Sequence, residues 1–277
     1  MILVTGATGA LGRLVTERLA GRPDVAIGTR SPEEIPAGSP ARRIDFDDPG
    51  SLDKGFAGVD TLLLISAGYG EDDVVIARHG AAIDAAERAG VRHIVYTSLS
   101  AAGDHLAYAL AHRWTERRLR AGTASWTILR NGLYAELLAT LAPVADGRIT
   151  APLGAGRLAA VARADLAEAA ALVAADAPAH AGRVYELVGE QAVGGADLAA
   201  ALSGATGSTV SYEPGTLAGA REDLAALGPA PFQIPMLVGT YSCIAHGFMD
   251  GTGGDLRNLL GRAPRPALEI ATAVLAG

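Results

Sequence analysis

Between an apolar run at the start of the chain, Ile2 to Thr5, and an amphipathic stretch, Leu11 to Ala20, stands VTGATGALG, with Gly6, Gly9 and Gly12 three residues apart. A glycine at Gly6 permits a tight turn out of a strand, one at Gly9 lets backbone approach a pyrophosphate with no Cβ in the way, and one at Gly12 lets a helix pack closely on a sheet. The amides opening such a helix have no partner inside it and suit a diphosphate. The GxxGxxG spacing on its own is equally the mark of a tight turn, so its weight comes from the strand before it, the helix after it and the βαβ pattern that follows.

That pattern is regular through the first half. Strand candidates are Ile2–Thr5, Val25–Thr29, Arg42–Ile44, Thr61–Ser66, His93–Ser98 and Trp126–Leu129, alternating with helical stretches at Leu11–Ala20, Asp72–Ala89 and Leu110–Ala121. Gly21, Gly90 and Gly122 fall where helices end. Leu62 to Ile65 is a continuous apolar block, as a central parallel strand covered on both faces requires. The expected fold is α/β, a doubly wound parallel Rossmann sheet with a small C-terminal substrate lobe. Residues 1–150 form the dinucleotide-binding domain, joined by a helix over 163–175 and a strand over 184–188, and 190–277 form most of the lobe. Thr209–Tyr212 is a further strand-like piece, and Pro229, Pro231 and Pro235 make Gly228–Pro235 a loop candidate able to flank a site.

With 49% apolar and 19% charged residues the chain has the material for a large core. A net charge of −7 argues against a sequence-independent hold on nucleic acid. Cys243 is the sole cysteine, so no intramolecular disulfide forms and thiolate metal sites are excluded. The chain opens on a strand rather than a targeting segment, and its apolar runs are too short to span a membrane, so a cytoplasmic protein is expected. His79 and His93 lack acids or thiols at ligand spacing, and no metal is assigned.

The second strand ends in Gly28-Thr29-Arg30-Ser31, with no acid to hold ribose hydroxyls. Arg30 there suits a 2′-phosphate and predicts a preference for NADPH, its other reading being a solvated strand-end cation. Asp45 is a candidate for a polar contact to adenine or else begins the turn at Asp47-Asp48-Pro49.

Beyond the glycine loop, LLLIS at 62–66, AAERAGV at 85–91, YTSL at 96–99, LRNGLY at 129–134, ARAD at 162–165 and VYELVG at 184–189 together resemble the NmrA-like group of atypical short-chain dehydrogenases, especially the type 2 quinone oxidoreductases. The resemblance implies a seven-stranded Rossmann domain, NADPH as cofactor and hydride transfer to a quinone. It further implies that Gly6, Thr8, Gly9, Ala10, Leu11, Gly12, Arg30 and Asp45 contact the adenosine diphosphate half. Ser66, Ala67, Thr97 and Ser98 then lie near the nicotinamide ribose, and Asn131, Gly132 and Tyr134 line the acceptor end. Asn131, Tyr134, His112 and Ser98 are the candidate catalytic groups. Ser98 is otherwise a strand-end hydroxyl bonded to backbone, and Asp165 a helix cap.

Ketone-reducing relatives in the wider superfamily use a Tyr acidified by a Lys four residues on. The local match is Tyr108 with His112, and a neutral imidazole stabilises a phenolate poorly. His112 instead matches the NmrA-like HxxTE-like segment, here HRWTE at 112–116. A quinone becomes aromatic on reduction and dispenses with a strong acid, which favours quinone-like acceptors, with Tyr69, Tyr134 and Phe232 as aromatic candidates beside them. Two other readings stay open: a redox sensor that binds NAD(P) and docks a protein partner without turnover, and a biosynthetic reductase or isomerase. A homo-oligomer is compatible with all three.

Overall fold

The structure is a computed structural model that describes residues 1–35, 40–67 and 70–276. Tyr69 lies outside the described residues. Seven parallel strands form the main sheet: β1 Ile2–Val4, β2 Val25–Thr29, β3 Ala41–Arg43, β4 Thr61–Leu64, β5 His93–Leu99, β6 Ser125–Asn131 and β7 Val184–Leu187, in spatial order 3-2-1-4-5-6-7. This is the doubly wound Rossmann order extended by a seventh strand. Leu3 lies between Ala26 on β2 and Leu62 on β4, and Leu62 faces Ile94 on β5. The expected α/β sheet is therefore observed.

The helices of this half are α1 Ala10–Arg18, α2 Pro49–Gly55, α3 Asp72–Arg88, α4 Ala109–Arg120 and α6 Arg163–Ala175, and α5 Ala135–Leu141 belongs to a second compact unit. Leu3, Leu62, Leu64, Ile94 and Tyr96 pack in one cluster with Leu52 and Phe56, with Ala82 and Ile83 of α3, and with Leu119 of α4. Strand side chains alternate between faces, so Val4, Leu63 and Val95, all fully buried, are consigned to the opposite face. Burial on both faces explains the unbroken apolar run in β4.

The turn expected at Asp47-Asp48-Pro49 forms slightly earlier, over Asp45 to Asp48, and helix α2 follows it directly. Pro49 occupies its first turn, where the missing N–H costs nothing and the fixed φ favours helix. Gly21 and Gly90 adopt left-handed φ of 82° and 73° at the ends of α1 and α3, as expected of helix-terminating glycines.

Two compact units divide the chain: one comprises residues 1–99, 110–130 and 166–185, the other 100–109, 131–165 and 186–277. The second thus takes in segments well before residue 150. It contains the small antiparallel pair Val144–Ala145 with Arg148–Ile149, turned by Asp146 and Gly147 at φ of 50° and 70°. Asp-Gly is the dipeptide that such a two-residue hairpin selects. Only Ser211–Tyr212 of the expected strand Thr209–Tyr212 forms, pairing with Arg148–Ile149.

Helices α7 Gly195–Thr206, α8 Leu217–Ala226, α9 Gln233–Ala245, α10 Asp255–Leu260 and α11 Ala267–Ala276 complete the second unit. The expected loop Gly228–Pro235 is shorter than the prolines suggested. Pro235 is the third residue of α9, inside the first turn, where no backbone donor is needed. Asp165 is likewise no cap. It sits within the first turn of α6, fully buried, and its carboxylate takes Arg262, Arg265 and the Arg265 amide.

Candidate functional site

In the first unit the glycine loop leaves β1 as a dinucleotide cradle requires. Gly6 has φ of +59°, and the Gly9 amide donates to its carbonyl at 3.0 Å. A Cβ on Gly12 would stand 2.2 Å from the Gly6 oxygen and 2.7 Å from the Ala7 Cα, so only hydrogen fits. Helix α1 starts at Ala10 with no side-chain cap, and its first internal bond runs from the Arg13 amide to the Gly9 carbonyl. The amides of Ala10, Leu11 and Gly12 consequently have no partner within the helix, and Thr8 is exposed beside them. These residues fit a pyrophosphate on main-chain geometry alone.

Arg30 is exposed at the end of β2 and, among the described residues, has no ion-pair partner. It stands near enough to Asp47 to help hold that carboxyl below the usual range, although the Arg78 guanidinium contributes more. Asp45 serves a local turn: its side chain accepts the Asp47 amide at 3.1 Å and its carbonyl accepts the Asp48 amide.

Three consecutive amides leaving β4 are each held by a side chain from a different element. Ile65 donates to Thr5 Oγ1 at 3.0 Å, Ser66 to Thr97 Oγ1 at 2.9 Å, and Ala67 to His79 Nε2 at 2.9 Å. Because His79 Nε2 accepts, Nδ1 carries the proton and donates to Thr115 Oγ1 at 2.8 Å, which donates in turn to the Ala111 carbonyl. Burial keeps this imidazole neutral, its pKa pushed down to about 3. Ser66 and Ala67 are thereby fixed at the C-terminal end of the sheet, where open α/β folds bind ligands.

On the face that β5 turns toward α4, Tyr96 and Ser98 meet His112 and Glu116, a two-residue step on the strand matching a four-residue step on the helix. The Tyr96 hydroxyl and His112 Nδ1 share a bond of 2.8 Å, and Ser98 donates to Glu116 at 2.7 Å. Glu116, 1% exposed, also accepts Arg113 and Arg130. Burial pushes its carboxyl up, but the Arg130 and Ser98 hydrogen bonds and the Arg113 charge outweigh this and hold it below its ordinary value. His112 is lowered to about 4, chiefly by burial. Tyr108, the local match to His112, precedes α4 with its hydroxyl 3.4 Å from Thr240 Oγ1, and Tyr96 is the tyrosine that His112 meets. Tyr96, unassigned from sequence except within YTSL, was readable only by pairing strand alternation with helix spacing.

The second unit holds the LRNGLY end. Asn131 closes β6, is 8% exposed, and its buried Oδ1 has no hydrogen-bond partner. A Cβ on Gly132 would lie 3.1 Å from Val161 and 3.2 Å from the Leu187 carbonyl, which fixes the tight passage to Tyr134. Tyr134 precedes α5, and its ring lies under the Arg163 guanidinium at 4.6 Å. Phe232 precedes α9. Among the described residues no group of three or more His, Cys, Asp or Glu could hold a metal ion, and no helix is long and apolar enough to cross a membrane. A surface hollow of about 480 Å³ beside β3 and α2 shares no residue with the glycine loop.

A family described as NAD(P)H-binding matches residues 6–177. Quinone oxidoreductase 2 of Escherichia coli K12 is 38% identical over 223 residues, covering 77% of each chain. The crystal structure of an NADPH-dependent quinone oxidoreductase from Escherichia coli with NADPH superposes with a TM-score of 0.90 at 32% identity over 99% of both chains. That of the Citrobacter sp. triphenylmethane reductase with NADP(H) gives 0.89 at 31%, again over 99% of both.

Proposed function

The chain belongs to the NAD(P)H-binding family, and we propose that it transfers a hydride from NADPH to quinones or similar small electrophilic acceptors. The observation that carries this reading is a glycine loop whose amides at the start of α1 have no partner within the helix, in a chain whose single lysine, Lys54, follows no tyrosine by four residues. The main-chain amides at the start of α1 hold the pyrophosphate, Gly12 keeps them in place, and Arg30 meets the 2′-phosphate. Asp45 lies on the adenine side. Ser66, Ala67 and Thr97 place the nicotinamide ribose, with His79 fixing the Ala67 amide from behind.

When bound, NADPH supplies the hydride. What the protein adds is orientation, worth a large share of the barrier where reacting atoms are held at contact distance. Asn131 and Tyr134 take the acceptor. A buried amide oxygen with no partner costs about 1–3 kcal/mol, which a ligand offsets only by supplying an N–H or O–H; a quinone has neither, whereas the hydroquinone product has two hydroxyls. Ser98 and His112 act through Glu116 and Tyr96 rather than on the acceptor, because their bonded atoms face α4 and β5. A quinone oxygen, its charge delocalised over a ring becoming aromatic, takes its proton from solvent.

The curated relative named a quinone oxidoreductase and the NADPH complex support the acceptor class and the cofactor. No observation favours the non-catalytic sensor. The test is steady-state oxidation of NADPH with 1,4-benzoquinone, followed at the nicotinamide absorbance. Turnover saturating in both reactants is expected, and a protein that binds NADPH yet leaves it unoxidised with every quinone tried refutes the assignment.

A further inference from the structure

In the second unit, among the described residues, one cation stands on an aromatic ring with no ion-pair partner. Arg163 opens α6, with its guanidinium over the Tyr134 ring at 4.6 Å and its buried Nε atom without a hydrogen-bond partner. Among the described residues, neither nearby carboxylate pairs with the guanidinium. Glu136 accepts the main-chain amide of Arg163, both oxygens at 3.3 Å, and Asp165 is taken by Arg262 and Arg265. Among the described residues no ion pair neutralises Arg163, and the charges of Arg163, Glu136, Asp165, Arg262 and Arg265 leave one positive charge in this cluster.

Stacking on an aromatic face fixes the plane of a guanidinium and leaves its N–H edge for a ligand. A planar fork with permanent charge prefers a tetrahedral or planar oxyanion, which it grips by parallel N–H bonds. An unpaired buried donor is costly, so its retention here over the Tyr134 ring calls for an acceptor from a ligand.

We propose that Arg163, planted on Tyr134, binds an anionic substituent of the electron acceptor, so that the protein selects quinone-like compounds carrying a sulfonate, carboxylate or phosphate ester. This rests on the placement of the acceptor at Asn131 and Tyr134. The guanidinium takes the oxyanion in the ground state, and its effect therefore falls chiefly on KM.

The experiment compares 1,2-naphthoquinone-4-sulfonate with 1,2-naphthoquinone in the wild type, Arg163→Gln and Arg163→Lys, together with calorimetric binding of the unreactive naphthalene-2-sulfonate. The wild type is expected to favour the sulfonate, and the ratio of the two kcat/KM values is expected to fall about tenfold or more in Arg163→Gln, largely through KM, with Arg163→Lys between. Binding of naphthalene-2-sulfonate should weaken in parallel. An unchanged ratio and unchanged sulfonate affinity in Arg163→Gln overturn the assignment. If neither quinone is reduced by the wild type but sulfonate binding still depends on Arg163, the hydride-transfer reading falls and the anion site stands.

Discussion

Replacing Gly12 with alanine places a methyl group where the structure has backbone. The added carbon would be 2.2 Å from the Gly6 oxygen, against an ordinary contact of 3.4–4 Å, so the loop and α1 must part by about 1.2 Å. Two effects compete. Alanine in place of glycine within a helix is favoured by about 1 kcal/mol, whereas overpacking against atoms that cannot rotate away costs about 1–3 kcal/mol. The clash prevails because all three nearest atoms are main chain. Net destabilisation of up to about 2 kcal/mol lowers Tm by as much as about 8 °C, leaving the protein folded at 25 °C.

Binding suffers more. The displaced amides of Ala10 to Gly12 are those that face the diphosphate, and losing about 2 kcal/mol of charge-assisted bonding weakens NADPH affinity about thirtyfold. Gly21→Ala is the control: its φ of +82° strains an alanine, yet nothing lies within 4 Å of the added carbon, so stability falls by about 1 kcal/mol with NADPH affinity intact. Fluorescence titration with NADPH and thermal unfolding of both variants provide the comparison. A folded Gly12→Ala protein with wild-type NADPH affinity would refute the role given to the loop.

Arg30→Glu is expected to weaken NADPH at least tenfold while leaving NADH little changed, read from the two dissociation constants, since only the 2′-phosphate meets that side chain. Glu116→Leu leaves Arg113 and Arg130 without their shared carboxylate at a position 1% exposed, and breaking such a buried pair costs about 3–5 kcal/mol, measurable by urea unfolding. Acid should also destabilise the fold. His79 and His112 have pKa values lowered to about 3 and about 4, so between about pH 4 and 6.5 the unfolded chain binds more protons than the native one. Stability is therefore full above pH 6.5 and falls as pH drops, by about 2 kcal/mol for each histidine at pH 5. A thermal midpoint that does not change between pH 7 and pH 5 would contradict their burial as neutral groups.

Local signals carried most of the architecture. The apolar block Leu62–Ile65 is legible because a strand covered on both faces tolerates no polar residue, and VTGATGALG because its glycines answer to steric demands within a few residues. Pro49 suits a turn as well as the helix start it occupies, and Pro235 a loop as well as the first turn of α9, so the residue type alone fits either state. The Asp146-Gly147 hairpin is a local signal of the same kind, since Asp-Gly is what a two-residue turn selects. Pairings across long sequence separations were not accessible: Asp165 with Arg262 and Arg265 spans about a hundred residues. Tyr96 with His112 depends on two periodicities meeting in space, and the local Tyr108–His112 spacing offered a nearer partner that the end of the helix then excluded.

The claim on which the rest depends is that amides at the start of α1 grip a pyridine nucleotide. Isothermal titration of NADPH, and separately NADH, into the full chain tests it without reference to any acceptor. One site per chain, tighter for NADPH, is expected. Absence of measurable binding by either nucleotide to folded protein would contradict the account.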